Sequence, residues 1–164
     1  MIYLFPKLVF VPPLFAYTLP YYISVYTYRG LDTFKNNYAC ELLLHVLTYN
    51  KYSLDYGVYG FVILPDQLHI IFQPGKVPLY QIVRKNTANF TRFYQKIWET
   101  NTPIWDLEYY ESPIADNTSL KEIQTEIHCL PEKLAKCSYK TYTYSSYRFY
   151  NGESKEFAIL LDKL

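Results

Sequence analysis

Residues 58–72 constrain this chain more than any other stretch. Val58-Tyr59-Gly60-Phe61-Val62-Ile63-Leu64 is apolar, aromatic and β-branched, the composition of a strand. Pro65-Asp66 makes a tight turn. Leu68-His69-Ile70-Ile71-Phe72 is a further strand, stopped by Pro74-Gly75. So short a connection joins antiparallel neighbours, and the pair forms a hairpin.

The rest of the chain is organised around that hairpin. Tyr21-Tyr22-Ile23-Ser24-Val25-Tyr26-Thr27-Tyr28 reads as a first strand, ended by Arg29-Gly30. Residues 38–49 carry Leu42, Leu43, Val46 and Leu47 at helical spacing. A long helix is predicted over 78–98, with Pro78 in its first turn and an apolar stripe of Leu79, Ile82, Val83, Phe90, Phe93 and Ile97. Residues 106–110 make a short fourth strand. Ser119 is the predicted N-cap of the next helix, with Glu122 at the capping-box position. That helix runs through Ile123 and Ile127 to about Pro131. A tyrosine-rich segment over 139–150 and an apolar tail over 157–161 close the chain. The order β-α-β-β-α-β-α predicts an α+β fold: an antiparallel sheet with packed helices.

Composition narrows the function. At 164 residues, the chain suits a single globular domain, here 21–152, with 1–20 as an extended arm and 153–164 as a tail. Half of it is hydrophobic and 19% is charged, which supports a core and excludes a disordered polyampholyte. Lys+Arg is 16 against 15 for Asp+Glu, so a histone-like, globally basic nucleic-acid binder is excluded, although a local basic face is not. Cys40, Cys129 and Cys137 are odd in number and lack C-x-x-C spacing. Neither a disulfide framework nor a zinc site follows, and a reduced, cytoplasmic compartment is expected. Residues 8–28 carry no charge, but Pro12, Pro13 and Pro20 interrupt them, so no membrane partner is expected.

Several residues invite a chemical reading. Lys85, Arg92 and Lys96, spaced by seven and four with Arg84 beside them, share a helix face that would meet phosphates; an amphipathic helix with a polar side looks the same. Lys140 and Arg148 are interleaved with Tyr142, Tyr144, Tyr147 and Tyr150, a pattern that stacks unpaired bases and holds their backbone, or that makes an edge strand. Glu122 and Glu126 lie four apart and read as a solvated helix face. His45 and His128 have no ligand-spaced partner, and His69 stands alone in its strand. Phosphate-cradling glycine loops, G-x-S-x-G and H-E-x-x-H are absent.

Six stretches in order resemble the REP-associated branch of the small tyrosine transposases of the His-hydrophobe-His (HUH) superfamily. They are Val25-Tyr26-Thr27-Tyr28-Arg29-Gly30; Tyr59 through Ile71; Ile82-Val83-Arg84-Lys85 with Phe90-Thr91-Arg92-Phe93-Tyr94; Ile104-Trp105-Asp106-Leu107-Glu108-Tyr109-Tyr110-Glu111; Glu126-Ile127-His128-Cys129-Leu130-Pro131; and Tyr144-Ser145-Ser146-Tyr147-Arg148-Phe149-Tyr150. The second is similar to the family's Y-x-V-M-P-N-H-x-H hairpin and the fifth to its Y-I-H-x-N-P helix. The resemblance implies the ferredoxin-like or RRM-like palm of these enzymes and binding of single-stranded or hairpin DNA. It also implies cleavage by a tyrosine hydroxyl, with a divalent cation on two histidines and one polar side chain of the tyrosine helix. Such transposases are often dimers, and the tail would pack or swap between chains.

The sequence departs from that pattern at the centre. The first histidine position is Gln67 and the second survives as His69. The tyrosine position is Glu126, and the asparagine position, one turn on, is Leu130. Leu cannot hold a metal; His69, Gln67 and Glu126 would hold Mg²⁺ or Mn²⁺ weakly. The expected function is therefore DNA binding by a transposase-like protein with cleavage impaired. The alternatives are a strand-transferase with a rearranged site and a repurposed protein-interaction scaffold.

Overall fold

The computed structural model describes residues 19–163. Most of the arm read over 1–20 lies outside the described residues. The elements are β1 (Tyr21–Thr27), α1 (Asn37–Leu54), β2 (Gly57–Leu64), β3 (Gln67–Gln73), α2 (Leu79–Ile97), β4 (Trp105–Pro113), α3 (Asn117–His128), α4 (Leu130–Leu134) and α5 (Tyr147–Tyr150). The strands form one sheet in the order β2-β3-β1-β4 with every neighbouring pair antiparallel. This is the ferredoxin-like order: the α1 crossover from β1 to β2 leaves a gap, and β3 folds back into it. The strand carrying Gln67 and His69 is thereby central.

Alternation along the strands sorts side chains between two layers. Ile23, Val25, Phe61, Ile63, Leu68 and Ile70 face α1 and α2 and join Leu43, Leu47, Ile82 and Phe90 in the main core. Val62, Leu64 and Ile71 face the other way, where Leu120, Ile127 and Leu130 cover them. On that second face α3 meets β2 and β3, while Tyr26 and Tyr110 on the β1–β4 half stay exposed.

Local chemistry sets the boundaries. Asn36 caps α1 by accepting from the Tyr38 N–H, and Asp55 ends it in the left-handed region at φ 56°. Pro78 stands just before α2, as its fixed φ favours. For α3 the cap is Asp116, not Ser119: its carboxylate accepts from the Ser119 N–H at 2.8 Å. A charged acceptor three residues upstream takes the orphan N–H and starts the helix earlier. The fourth strand is also longer than the predicted 106–110. Gly60 sits at a bulge in β2 where α3 comes close; a Cβ there would meet Cγ of Gln124 at 3.3 Å.

The chain beyond α4 returns to the sheet. Ile63 N–H donates to Tyr144 O and Ser146 N–H to Phe61 O, so the outer edge of β2 is covered. The tail packs within its own chain. Leu160 and Leu161 are buried, and the Asp162 carboxylate accepts from Lys51 and from the Val58 N–H, both at 2.8 Å. Among the described residues no helix is long and apolar enough to cross a membrane.

Candidate functional site

The second face of the sheet gathers the polar residues that the hairpin sequence singled out. Tyr22 on β1, and Gln67 and His69 on β3, point to that face. Tyr22 Oη lies 2.7 Å from His69 Nδ1. His69 Nε2 lies 2.9 Å from Gln67 Oε1, and Gln67 Nε2 donates to Asp66 Oδ1 at 3.1 Å. The directions close on one another. Gln67 Oε1 can only accept, so His69 Nε2 carries the proton; Nδ1 is then the acceptor and Tyr22 the donor. The chain runs Tyr22 to His69 to Gln67 to Asp66, and both imidazole nitrogens are used. The Tyr22 and His69 rings are nearly parallel, with 9° between planes, and Tyr110 tilts against Tyr22 from β4.

Burial sets the electrostatics. His69 is 4% exposed, and desolvation pulls its pKa down to about 4, so it is neutral at pH 7. Burial also raises the Tyr22 phenol well above the usual range, with smaller contributions from neighbouring tyrosines and from the charge of Glu126. Glu126 is exposed on α3, and its charge makes a small contribution to raising the Tyr22 phenol. Leu130 is buried with Val62, Leu64 and Ile71 and contributes apolar packing.

Tyr22, His69 and Gln67 thus form a hydroxyl, an imidazole and an orienting group, the arrangement of a base-activated nucleophile. Its proton affinities run the wrong way. The phenol is made a weaker acid and the imidazole a weaker base, so the proton stays on Tyr22. The residues present do not fit a divalent cation either. His69 offers no free lone pair, the Gln67 oxygen is engaged, Leu130 has no donor atom, and Glu126 stands in solvent. Among the described residues no cluster of three His, Cys, Asp or Glu side chains forms.

The other expected site residues fall into two separate places. Arg84, Lys85, Arg92 and Lys96 are all exposed on α2, which packs with α1 on the first face, behind the sheet from His69. Arg92 lays its guanidinium over the Phe93 ring, 4.7 Å from the centroid. Lys140, Tyr147 and Arg148 belong to the segment that returns along β2, with Lys140 and Arg148 exposed. The structure brings neither group together with Gln67 and His69.

No protein-family model matches the sequence, and no curated protein matches it. Among solved structures, a REP-associated tyrosine transposase bound to a REP hairpin superposes with a TM-score of 0.70. The overlap covers 89% of this chain and 86% of that one, at 15% identity. A candidate transposase from Deinococcus radiodurans R1 superposes at 0.53, over 73% of this chain and 95% of that one, at 14% identity. The chain has the fold of a REP-associated tyrosine transposase. In that fold the central strand and the helix laid over it carry Gln67, His69 and Glu126.

Sequence reasoning missed two partners. Tyr22 was read only as a strand residue, because its contact with His69 depends on a β1–β3 register that pairs Tyr22 with Ile71 and Ser24 with His69. His128, left without a role, has its Nε2 2.7 Å from Ser146 Oγ, and Ser146 Oγ also accepts from the Phe61 N–H at 2.9 Å. Those partners are far apart in sequence, and no local spacing signals them.

Proposed function

We propose that this chain is a transposase-like protein that binds hairpin or single-stranded DNA and does not cleave it efficiently. The observation that carries the reading is the closed hydrogen-bond chain through His69. It occupies the strand where the resemblance expects the metal histidines, and the facing helix position offers Glu126 in place of a tyrosine. Binding requires the fold and surface cations; cleavage requires a nucleophile and a bound cation, and those are the positions that have changed. The solved transposase with this fold was bound to a REP hairpin, which supports hairpin DNA as the ligand class. Three free cysteines are in keeping with a reducing, cytoplasmic setting.

A rearranged-site enzyme is the weaker reading, since the tyrosine nearest His69 is the raised-pKa Tyr22. The test of binding is a native gel with a labelled DNA hairpin carrying an unpaired tail, at rising salt. Affinity should fall steeply with salt, by about 0.7 log units per log unit for each single-strand phosphate contact. A protein that shifts neither hairpin nor tail at low salt would overturn the proposal.

A further inference from the structure

On the flank of α3 away from Glu126 lies a cavity of about 520 Å³, within the range of about 300–1,000 Å³ usual for small-ligand pockets. Its walls are rings: Tyr139, Tyr147 and Tyr150 from the returning segment, and His128 from α3. Lys121, Gln124, Thr125, Cys129 and Asn151 also line it, and Asn151 donates to the Glu153 carboxylate at its rim, at 3.1 Å.

The walls are held in place rather than loosely apposed. His128 Nε2 bonds to Ser146 Oγ, and Ser146 is bonded in turn to the backbone of Phe61 on β2. Tyr147 stands edge-on to both His128 and Tyr139, with centroids 5.8 and 5.1 Å away, and its hydroxyl accepts from Asn151. Lys140 places its ammonium 5.9 Å from the centre of the Tyr139 ring, so a second cation borders this wall. Planar walls, amide and hydroxyl groups at their edges, and Lys121 and Lys140 beside them suit a flat, polar, aromatic group attached to a phosphate.

We propose that this pocket takes one unpaired nucleobase, stacked against the tyrosine walls, with Lys121 and Lys140 meeting the strand's phosphates. The inference rests on the DNA-binding reading above and assigns it a specific subsite. The site is separate from the one built on His69, so DNA can be held there whatever the chemistry at His69.

The test is an abasic scan. A labelled hairpin with an unpaired tail is prepared with each tail base removed in turn, and its affinity for the full chain is measured. One position should cost on the order of tenfold, the size of a single base–aromatic stack. Tyr147→Ala should lose a similar factor on the intact tail and become indifferent to that abasic position, whereas Tyr147→Phe, which keeps the ring, should retain most of the affinity. The wild-type scan does not depend on any variant folding. Equal abasic costs in wild type and Tyr147→Ala, or no tail position costing more than twofold, would overturn the pocket while leaving DNA binding intact. Failure of the wild type to bind the intact hairpin would instead overturn the parent reading, and the pocket with it.

Discussion

Tyr22 and His69 sit on neighbouring strands, β1 and β3, with the phenol oxygen 2.7 Å from Nδ1 of the imidazole and the two rings almost parallel. This pair occupies the centre of the sheet face that α3 partly covers. The bond fixes the histidine's tautomer, and Gln67 holds its other nitrogen. Both ring nitrogens are therefore engaged within the sheet.

Tyr22→Phe should therefore destabilise the protein. It removes the donor that, among the described residues, meets the buried His69 Nδ1, at a cost of about 1–3 kcal/mol. Urea unfolding of the two proteins measures it. Equal midpoints would show that the bond contributes nothing.

Stability should fall in acid between about pH 6.5 and 4. His69 and His128 are both buried, and desolvation lowers each to about 4. In that interval the unfolded chain binds protons that the folded one does not, so stability is full above 6.5 and is lost as pH falls. A shift of this size corresponds to roughly 3 kcal/mol per histidine once both states are protonated. Melting temperature followed from pH 7.5 to 4.5 checks the window, and His128→Gln should flatten the curve. A Tm that is level across this range would contradict the burial of both rings.

The two helices behind the sheet are joined by a buried amide pair, with Asn50 donating to Asn86 Oδ1 at 2.9 Å and Asn86 donating to Ile82 O. Asn86→Leu should cost about 2–4 kcal/mol, because Asn50 and Tyr56 lose a partner where water cannot replace it. The readout is again the unfolding midpoint. Because the change lies behind the sheet, DNA affinity at low temperature should be unaltered.

The two basic groups lie on different elements, one on α2 and the other on the segment returning along β2, and the account puts the DNA at the second. Arg148→Ala should reduce the slope of log affinity against log salt by about 0.7, and Arg92→Ala should leave it unchanged. The reverse outcome would move the DNA to the α2 face.

Much of the fold was legible because it depends on local pattern. The hairpin over 58–72 follows from two apolar runs and Pro65-Asp66, and α2 from its stripe and Pro78. The start of α3 was misplaced because Asp116 outcompetes Ser119 as a cap. At the site, the hairpin motif put Gln67 and His69 on one strand, and the helix motif singled out Glu126 and Leu130. What they now do was not. The hydrogen-bond chain needs Tyr22, brought in by strand pairing, and the tyrosine pocket needs residues 128 and 146 to meet across β2. Both are products of register and packing, which no window of sequence contains.

The central claim is binding without efficient cleavage. Its most direct test is to incubate the full chain with end-labelled hairpin DNA and Mn²⁺ and to run the same samples on native and denaturing gels. The account predicts a shifted band on the native gel and an intact, protein-free strand on the denaturing gel. A shortened strand with a covalently attached protein would contradict it, and would show that a tyrosine acts at this site as a nucleophile.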